Sequence, residues 1–179
     1  MIQFYIGDGK GKTTAAIGLA VRAIGAGKRV AFVQFDKGHD TGREEYSERA
    51  VLRSLPGLEL IVTGCERRRL DGTFRSGNTD EDRAEARRGL DAVEKLLDEG
   101  DHDLIACDEL LGSVTTGLIE RRAVEALLDL HGGRADVELV MTGRCREGAL
   151  LERADLVTDM RNVKHYYDAG VKARRGFDF

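Results

Sequence analysis

Along this chain, short unbroken apolar runs alternate with longer stretches in which apolar residues recur every three or four positions. The runs at residues 1–6, 29–35, 58–62, 103–107, 137–141 and 155–159 predict six strands. Val30, Ala31, Phe32, Val33 and Phe35 are interrupted only by Gln34, the pattern of a strand buried on both faces of a parallel sheet. The spaced stretches predict helices. One covers residues 12–26 and closes at Gly25 and Gly27; another covers 43–55 and stops at Pro56, the only proline. A third follows Thr79 and Asp82, which are spaced as a capping box, places Ala86, Leu90, Val93 and Leu97 on one face, and ends at Gly100. Shorter helices are predicted over 110–117, 120–131 and 147–153, and the last twenty residues read as an irregular tail. Between residues 63 and 78 the periodicity disappears, and Arg67, Arg68, Arg69 and Arg75 mark either a functional surface loop or a solvated charged one.

Strands alternating with helices predict an α/β fold with a mostly parallel sheet of five to six strands and helices on both faces. A single domain over residues 1–179 is expected from the length and from 41% hydrophobic residues. In such folds ligands sit at the carboxyl ends of the strands. The net charge of −4 and a pI near 5.6 give no global basic excess, so neither nucleic acid nor a membrane surface is an expected partner. No run approaches the roughly 18 apolar residues of a membrane span, and residue 1 leads directly into a strand, so a cytoplasmic protein is expected. Cys65, Cys107 and Cys145 form no CxxC, and His39, His102, His131 and His165 are scattered. Reduced thiols and no structural metal are the expectation.

The chemistry concentrates after the first strand. Gly7-Asp8-Gly9-Lys10-Gly11-Lys12-Thr13-Thr14 joins a strand to a helix, where backbone N–H groups and the helix N-terminus can hold phosphate oxygens. This is a P-loop, read as a P-loop NTPase-type fold. Lys12 supplies a point charge to the phosphate chain, and the Thr13 hydroxyl is a Mg²⁺ ligand. The strict GxxxxGK[ST] pattern has glycine where Ile6 stands, so the loop is a variant in which Gly7 and Gly9 provide the flexibility. Asp108 and Glu109 follow the run Leu104-Ile105-Ala106-Cys107 and supply the acidic partner for the metal; which of the two touches it stays open.

Further residues resemble a particular family. The loop continuing into Ala15-Ala16, then Arg22, Val33-Gln34-Phe35, Lys37-Gly38, Asp108-Glu109-Leu110 and Thr142-Gly143-Arg144 are similar to the corrinoid adenosyltransferases. So are the segment from Ala154-Asp155 to Thr158 and the tail: Met160-Arg161, Val163-Lys164-His165, Asp168-Ala169-Gly170, Lys172-Ala173 and Gly176-Phe177-Asp178. The resemblance covers nearly the whole chain. It implies that a reduced Co(I) corrinoid attacks C5′ of ATP, forms a cobalt–carbon bond and expels the triphosphate, as in adenosylcobalamin biosynthesis or salvage. Co(I) is itself the nucleophile and carries no proton, so the chemistry needs no general base, only stabilisation of the leaving group.

The implied catalytic residues are Lys12 and Thr13. The implied nucleotide-binding set is Gly7, Asp8, Gly9, Lys10, Gly11, Lys12, Thr13, Thr14, Arg22, Arg144, Lys164 and His165, with Thr13, Asp108 and Glu109 at Mg²⁺. Arg22 reads equally as a surface arginine, and Arg144, Arg161, Lys164, His165 and Lys172 either gather over phosphates and corrinoid or are solvated. An electron donor for Co(II) and a homodimer are also implied by kinship.

The resemblance is interrupted after Thr63-Gly64, where family members place aromatic rings that displace the corrinoid's lower ligand. Here Cys65-Glu66-Arg67 follow, the chain has no tryptophan, and Phe74 is the nearest aromatic. Cys65 is either a packing residue or a contact of the corrinoid face. An incomplete corrinoid without a lower base, such as cobyrinic acid a,c-diamide, needs no displacing ring. A nucleoside kinase of thymidine-kinase type, with Glu109 as base, and a non-catalytic ATP or corrinoid carrier are the alternative readings; the absence of CxxC weighs against the former.

Overall fold

A computed structural model of the chain describes residues 1–38, 46–67, 75–134 and 136–179. Six strands, β1 (Ile2–Ile6), β2 (Val30–Gln34), β3 (Leu58–Val62), β4 (Leu104–Asp108), β5 (Glu138–Thr142) and β6 (Leu156–Asp159), form one sheet in the order β3-β2-β4-β5-β1-β6. Every pairing is parallel. Around the sheet lie α1 (Lys12–Gly25), α2 (Ser47–Leu52), α3 (Asp80–Glu99), α4 (Leu110–Thr115), α5 (Arg121–Gly132) and α6 (Gly148–Leu151).

The unbroken apolar run of β2 is explained by what covers it. Val30 and Phe32 pack with Ala16 and Ala20 of α1 and Leu52 of α2, whereas Ala31 and Val33 pack with Val93 and Leu97 of α3 and Leu127 of α5. Successive side chains point to opposite faces, and both faces are dry. At the N-terminus of α3, Thr79 Oγ1 accepts from the Asp82 N–H at 3.2 Å and Asp82 Oδ2 accepts from the Thr79 N–H at 2.8 Å, so the capping box forms. Gly100 in the left-handed conformation ends the helix.

Two boundaries differ from the sequence reading. The helix expected over 43–55 is observed as Ser47–Leu52, followed by turns; residues 43–45 lie outside the described set. The tail is not wholly irregular, because Tyr166–Ala169 forms a 3₁₀ turn that His165 Nδ1 caps by accepting from the Tyr167 N–H. A single turn of four residues is too short to display a hydrophobic period. No described helix is long and apolar enough to cross a membrane.

The strand order places β5 between β1 and β4. The end of β5 therefore stands between the loop that follows β1 and the acidic pair that closes β4.

Candidate functional site

The loop after β1 is shaped by β6 and the segment beyond it. The Gly9 N–H donates to the Met160 carbonyl at 2.7 Å. A Cβ on Gly9 would lie 2.7 Å from Arg161 backbone atoms, and Gly7 has φ 105° beside Asp159 and Met160. Only glycine fits both places. Ile6 points into the core at 7% exposure, so the residue that breaks the strict motif belongs to the strand and leaves the loop open. Helix α1 then begins at Gly11 without a side-chain cap or an acidic residue in its first turn, in contrast to α3, which has both. Its leading N–H groups and positive dipole end are therefore available to an anion. Lys12 Nζ folds over the loop and donates to the Gly7 and Gly9 carbonyls, each at 2.8 Å. Burial holds its pKa below the ordinary lysine value, with Glu109 opposing the shift.

Opposite the loop, Asp108 is fully buried. Its Oδ1 accepts from the Thr13 hydroxyl at 2.9 Å and from the Thr142 hydroxyl at 2.7 Å. Its Oδ2 has no hydrogen-bond partner among the described residues and lies 3.9 Å from Lys37 Nζ. Two hydroxyls thus saturate one carboxylate oxygen and leave the other bare, next to a threonine hydroxyl, an arrangement that suits a hard cation with oxygen ligands. Glu109 adopts a left-handed conformation, φ 62°, and its N–H donates to Thr142 Oγ1 at 2.9 Å. Burial raises the Glu109 pKa, against which Lys37 and Lys12 pull. Gly143, φ 142°, lets the chain pass so close to the Gly112 N–H that a side chain would collide.

Thr142 is thus the hinge pin of the acidic pair, orienting Asp108 and holding the Glu109 backbone. Thr142→Val keeps the shape and removes both bonds. A loss of about 1–3 kcal/mol is expected, for one orphaned N–H and one donor taken from a buried carboxylate. Urea unfolding checks it, and an unchanged midpoint would show that the hydroxyl carries no load.

These elements enclose a cleft of about 540 Å³ lined by Asp8 to Thr14, Glu109, Gly112, Thr115, Thr116, Arg144, His165 and Asp178. Most of the expected residues therefore meet in one place. Asp8 accepts from the Asn162 N–H at 3.1 Å, the main cause of its lowered pKa. Gly7 lines an adjoining pocket with Asp159, Arg161 and Asn162. Arg22 sits exposed in the last turn of α1, and Lys164 is exposed beside His165; neither lines the cleft. Arg67 and Arg75 are engaged in structure. Arg67 bonds Asp36 at 2.7 Å and the Gly77 carbonyl at 2.9 Å, while Arg75 grips both oxygens of Asp82 at 2.7 Å. Cys65 is half-buried beside Asp82, and burial raises its pKa. Arg68, Arg69, Phe74 and His39 lie outside the described residues. Sequence reading missed Thr115 and Thr116, adjacent hydroxyls without a spacing signal, and the role of Thr142, which was visible only as part of Thr142-Gly143-Arg144. Asp178 was visible only as part of the tail pattern.

Comparison with known proteins bears on what this cleft serves. The family model described as "ATP:corrinoid adenosyltransferase BtuR/CobO/CobP" matches residues 1–179. The corrinoid adenosyltransferase of Escherichia coli strain K12 is 35% identical over 181 residues, spanning all of this chain and 85% of that protein. The corrinoid adenosyltransferase CobA of Salmonella typhimurium shows the same identity and coverage, and the corrinoid adenosyltransferase of a Sinorhizobium species is 30% identical across the whole chain and 80% of its own. With the full length matched and the loop, acidic pair and tail all within the match, the chain belongs to the ATP:corrinoid adenosyltransferase family.

Proposed function

We propose that the protein transfers the 5′-deoxyadenosyl group of ATP to a reduced Co(I) corrinoid and releases triphosphate. The supporting observation is the uncapped α1 N-terminus bordering the cleft, with buried Asp108 tied to its Thr13 hydroxyl at 2.9 Å. The loop amides, Lys12 and the first turn of α1 bind the triphosphate. Lys12 leaves the Gly7 and Gly9 carbonyls to meet phosphate oxygens. Thr13 and Asp108 would hold Mg²⁺, with Glu109 lining the cleft beside them, and Mg²⁺ when bound would supply Lewis-acid stabilisation of charge on the departing triphosphate. The Co(I) electron pair forms the cobalt–carbon bond as the C5′–O bond breaks and its electrons leave with the triphosphate. Arg144 and His165 border the same cleft and add positive or hydrogen-bonding groups at its rim. Cys65 in place of a displacing ring favours a corrinoid that lacks a lower base. A cytoplasmic homodimer served by a separate electron donor completes the reading, on the strength of the family likeness.

The direct assay supplies ATP, Mg²⁺ and chemically reduced cobyrinic acid a,c-diamide or cobalamin, and follows the spectrum of the adenosylated product and free triphosphate. Equal amounts of both are expected, with the incomplete corrinoid preferred. Release of ADP would favour a kinase, and pyrophosphate with phosphate would show that the triphosphate does not leave whole.

A further inference from the structure

The end of the chain is built into the wall of the cleft. Lys10 Nζ donates to the Phe177 carbonyl at 2.6 Å, across 167 residues of sequence, and lies 3.6 Å from Asp178 Oδ1. The Asp178 side chain is only 9% exposed and is gripped from its other side. The Tyr166 hydroxyl donates to Oδ1, and the Arg174 N–H and Nε donate to Oδ2 at 2.9 and 3.3 Å. The Arg174 guanidinium lies over the rings of Tyr166 at 4.7 Å and Phe177 at 5.2 Å. These bonds hold the Asp178 carboxyl at about 2, well below the usual carboxylate range. One residue further, the Phe179 carbonyl accepts from the Ser47 hydroxyl at the start of α2, at 3.0 Å. The last residues thus bridge the loop after β1 and the start of α2, and Asp178 and His165 face the cleft.

A carboxylate placed beside a polyanion site is unfavourable unless it does something that offsets the repulsion. Here its partner is Lys10, flanked by Gly9 and Gly11, the two residues whose freedom makes the loop entropically expensive to order. We propose that Asp178 is a positioning residue of the nucleotide site: together with the Phe177 carbonyl it fastens Lys10 to the C-terminal turn, so that Lys10 is a tether that pre-orders the loop and not a phosphate ligand. The inference rests on the reading of the loop as the ATP site. With Lys10 fixed, nucleotide binding does not have to freeze the middle of the loop, and the gain falls on ATP affinity rather than on the chemical step.

Calorimetric titration of ATP with Mg²⁺ into the full chain, alongside steady-state kinetics, tests this with Lys10→Met, Asp178→Asn and the double variant. Each single change is expected to raise the ATP Kd and KM by about tenfold, and the double change to do no more than either alone, with kcat within about twofold of the parent. Asp178→Glu should recover part of the affinity. Without ATP, amide exchange at residues 8–11 and 174–179 should already be slow in the parent chain and become fast in Asp178→Asn. If Asp178→Asn leaves affinity unchanged or tightens it, the carboxylate is only a repulsive neighbour and the tether is wrong. Additive losses in the double variant, with Lys10→Met the worse single, would return Lys10 to the phosphates. A parent chain that binds no ATP would instead overturn the reading of the loop itself.

Discussion

Lys12→Ala is expected to lower adenosyl transfer by about 10³-fold while leaving the melting temperature within a few degrees of the parent. A thousandfold loss corresponds to about 4 kcal/mol of transition-state stabilisation, the scale seen when a preorganised group facing developing charge is removed from a water-poor site. Lys12 stands in such a place. It follows Gly11 at the first position of α1, where the dipole end and leading N–H groups would act on the same bound anion, and partial burial strengthens its field. The cost to folding is small by comparison. In the resting protein the ammonium satisfies two loop carbonyls at 2.8 Å, and without it those carbonyls can turn to water entering the cleft. Formation of the cobalt–carbon product, read spectroscopically at saturating ATP and corrinoid, checks the first quantity, and thermal unfolding checks the second. Lys12→Arg keeps the charge on a larger planar head and is expected to be nearly as poor, because the loop is closed by contacts to Met160 and Arg161 that leave no room to adjust. Activity within tenfold of the parent in Lys12→Ala would show that the loop amides alone carry the leaving group.

The centre of the sheet was legible because β2, β4 and β5 are dry on both faces and so appear as unbroken apolar runs; β3 was read to the residue, and the other strands to within one. Asp108 itself proved to be the last residue of β4, not the first after it, which matters because a strand position fixes the carboxylate more rigidly than a loop would. The loop was legible as a glycine-rich strand-to-helix turn, with the spacing that a backbone wrapped around phosphate would need. What stayed hidden depends on distance in sequence. Nothing local to Thr142 announces that it reaches Asp108 and Glu109, 34 and 33 residues away, and nothing local to Asp178 announces Lys10. The reason Gly7 and Gly9 are glycine is likewise remote, since the segment after β6 passes against them. Charge alone misled in the other direction. Arg67 and Arg75 look like free cations in the sequence and are consumed by Asp36 and Asp82.

Asp108→Asn is expected to cost more in turnover than in stability, and the two effects separate because the two carboxylate oxygens do different things. Oδ1 accepts from Thr13 and Thr142, and an amide oxygen can take over both bonds. Oδ2 makes no hydrogen bond and faces Lys37 at 3.9 Å, so a neutral amide relieves the desolvation of the carboxylate but leaves a largely buried ammonium, whose pKa Asp108 helps to raise, without its ion-pair partner. The net loss of unfolding free energy is expected to be about 1–3 kcal/mol. Turnover is different. If Oδ2 is the oxygen that meets Mg²⁺, an NH₂ group in its place repels the cation, and a loss of about 10²–10³-fold is expected, with half-maximal Mg²⁺ concentration shifted upward. A binding readout separates this from misfolding. Mg²⁺ with ATP at a hundred times its dissociation constant should stabilise the parent by about 2.7 kcal/mol, and the variant by little more than ATP without metal does. Glu109→Gln, measured in parallel, is expected to show a milder shift in Mg²⁺ dependence, because its carboxyl is held over α4 beside Gly112. The reverse ranking, with Asp108→Asn near parent activity at ordinary Mg²⁺ and Glu109→Gln inactive, would move the metal from one carboxylate to its neighbour and leave the bare oxygen on Asp108 to Lys37 alone.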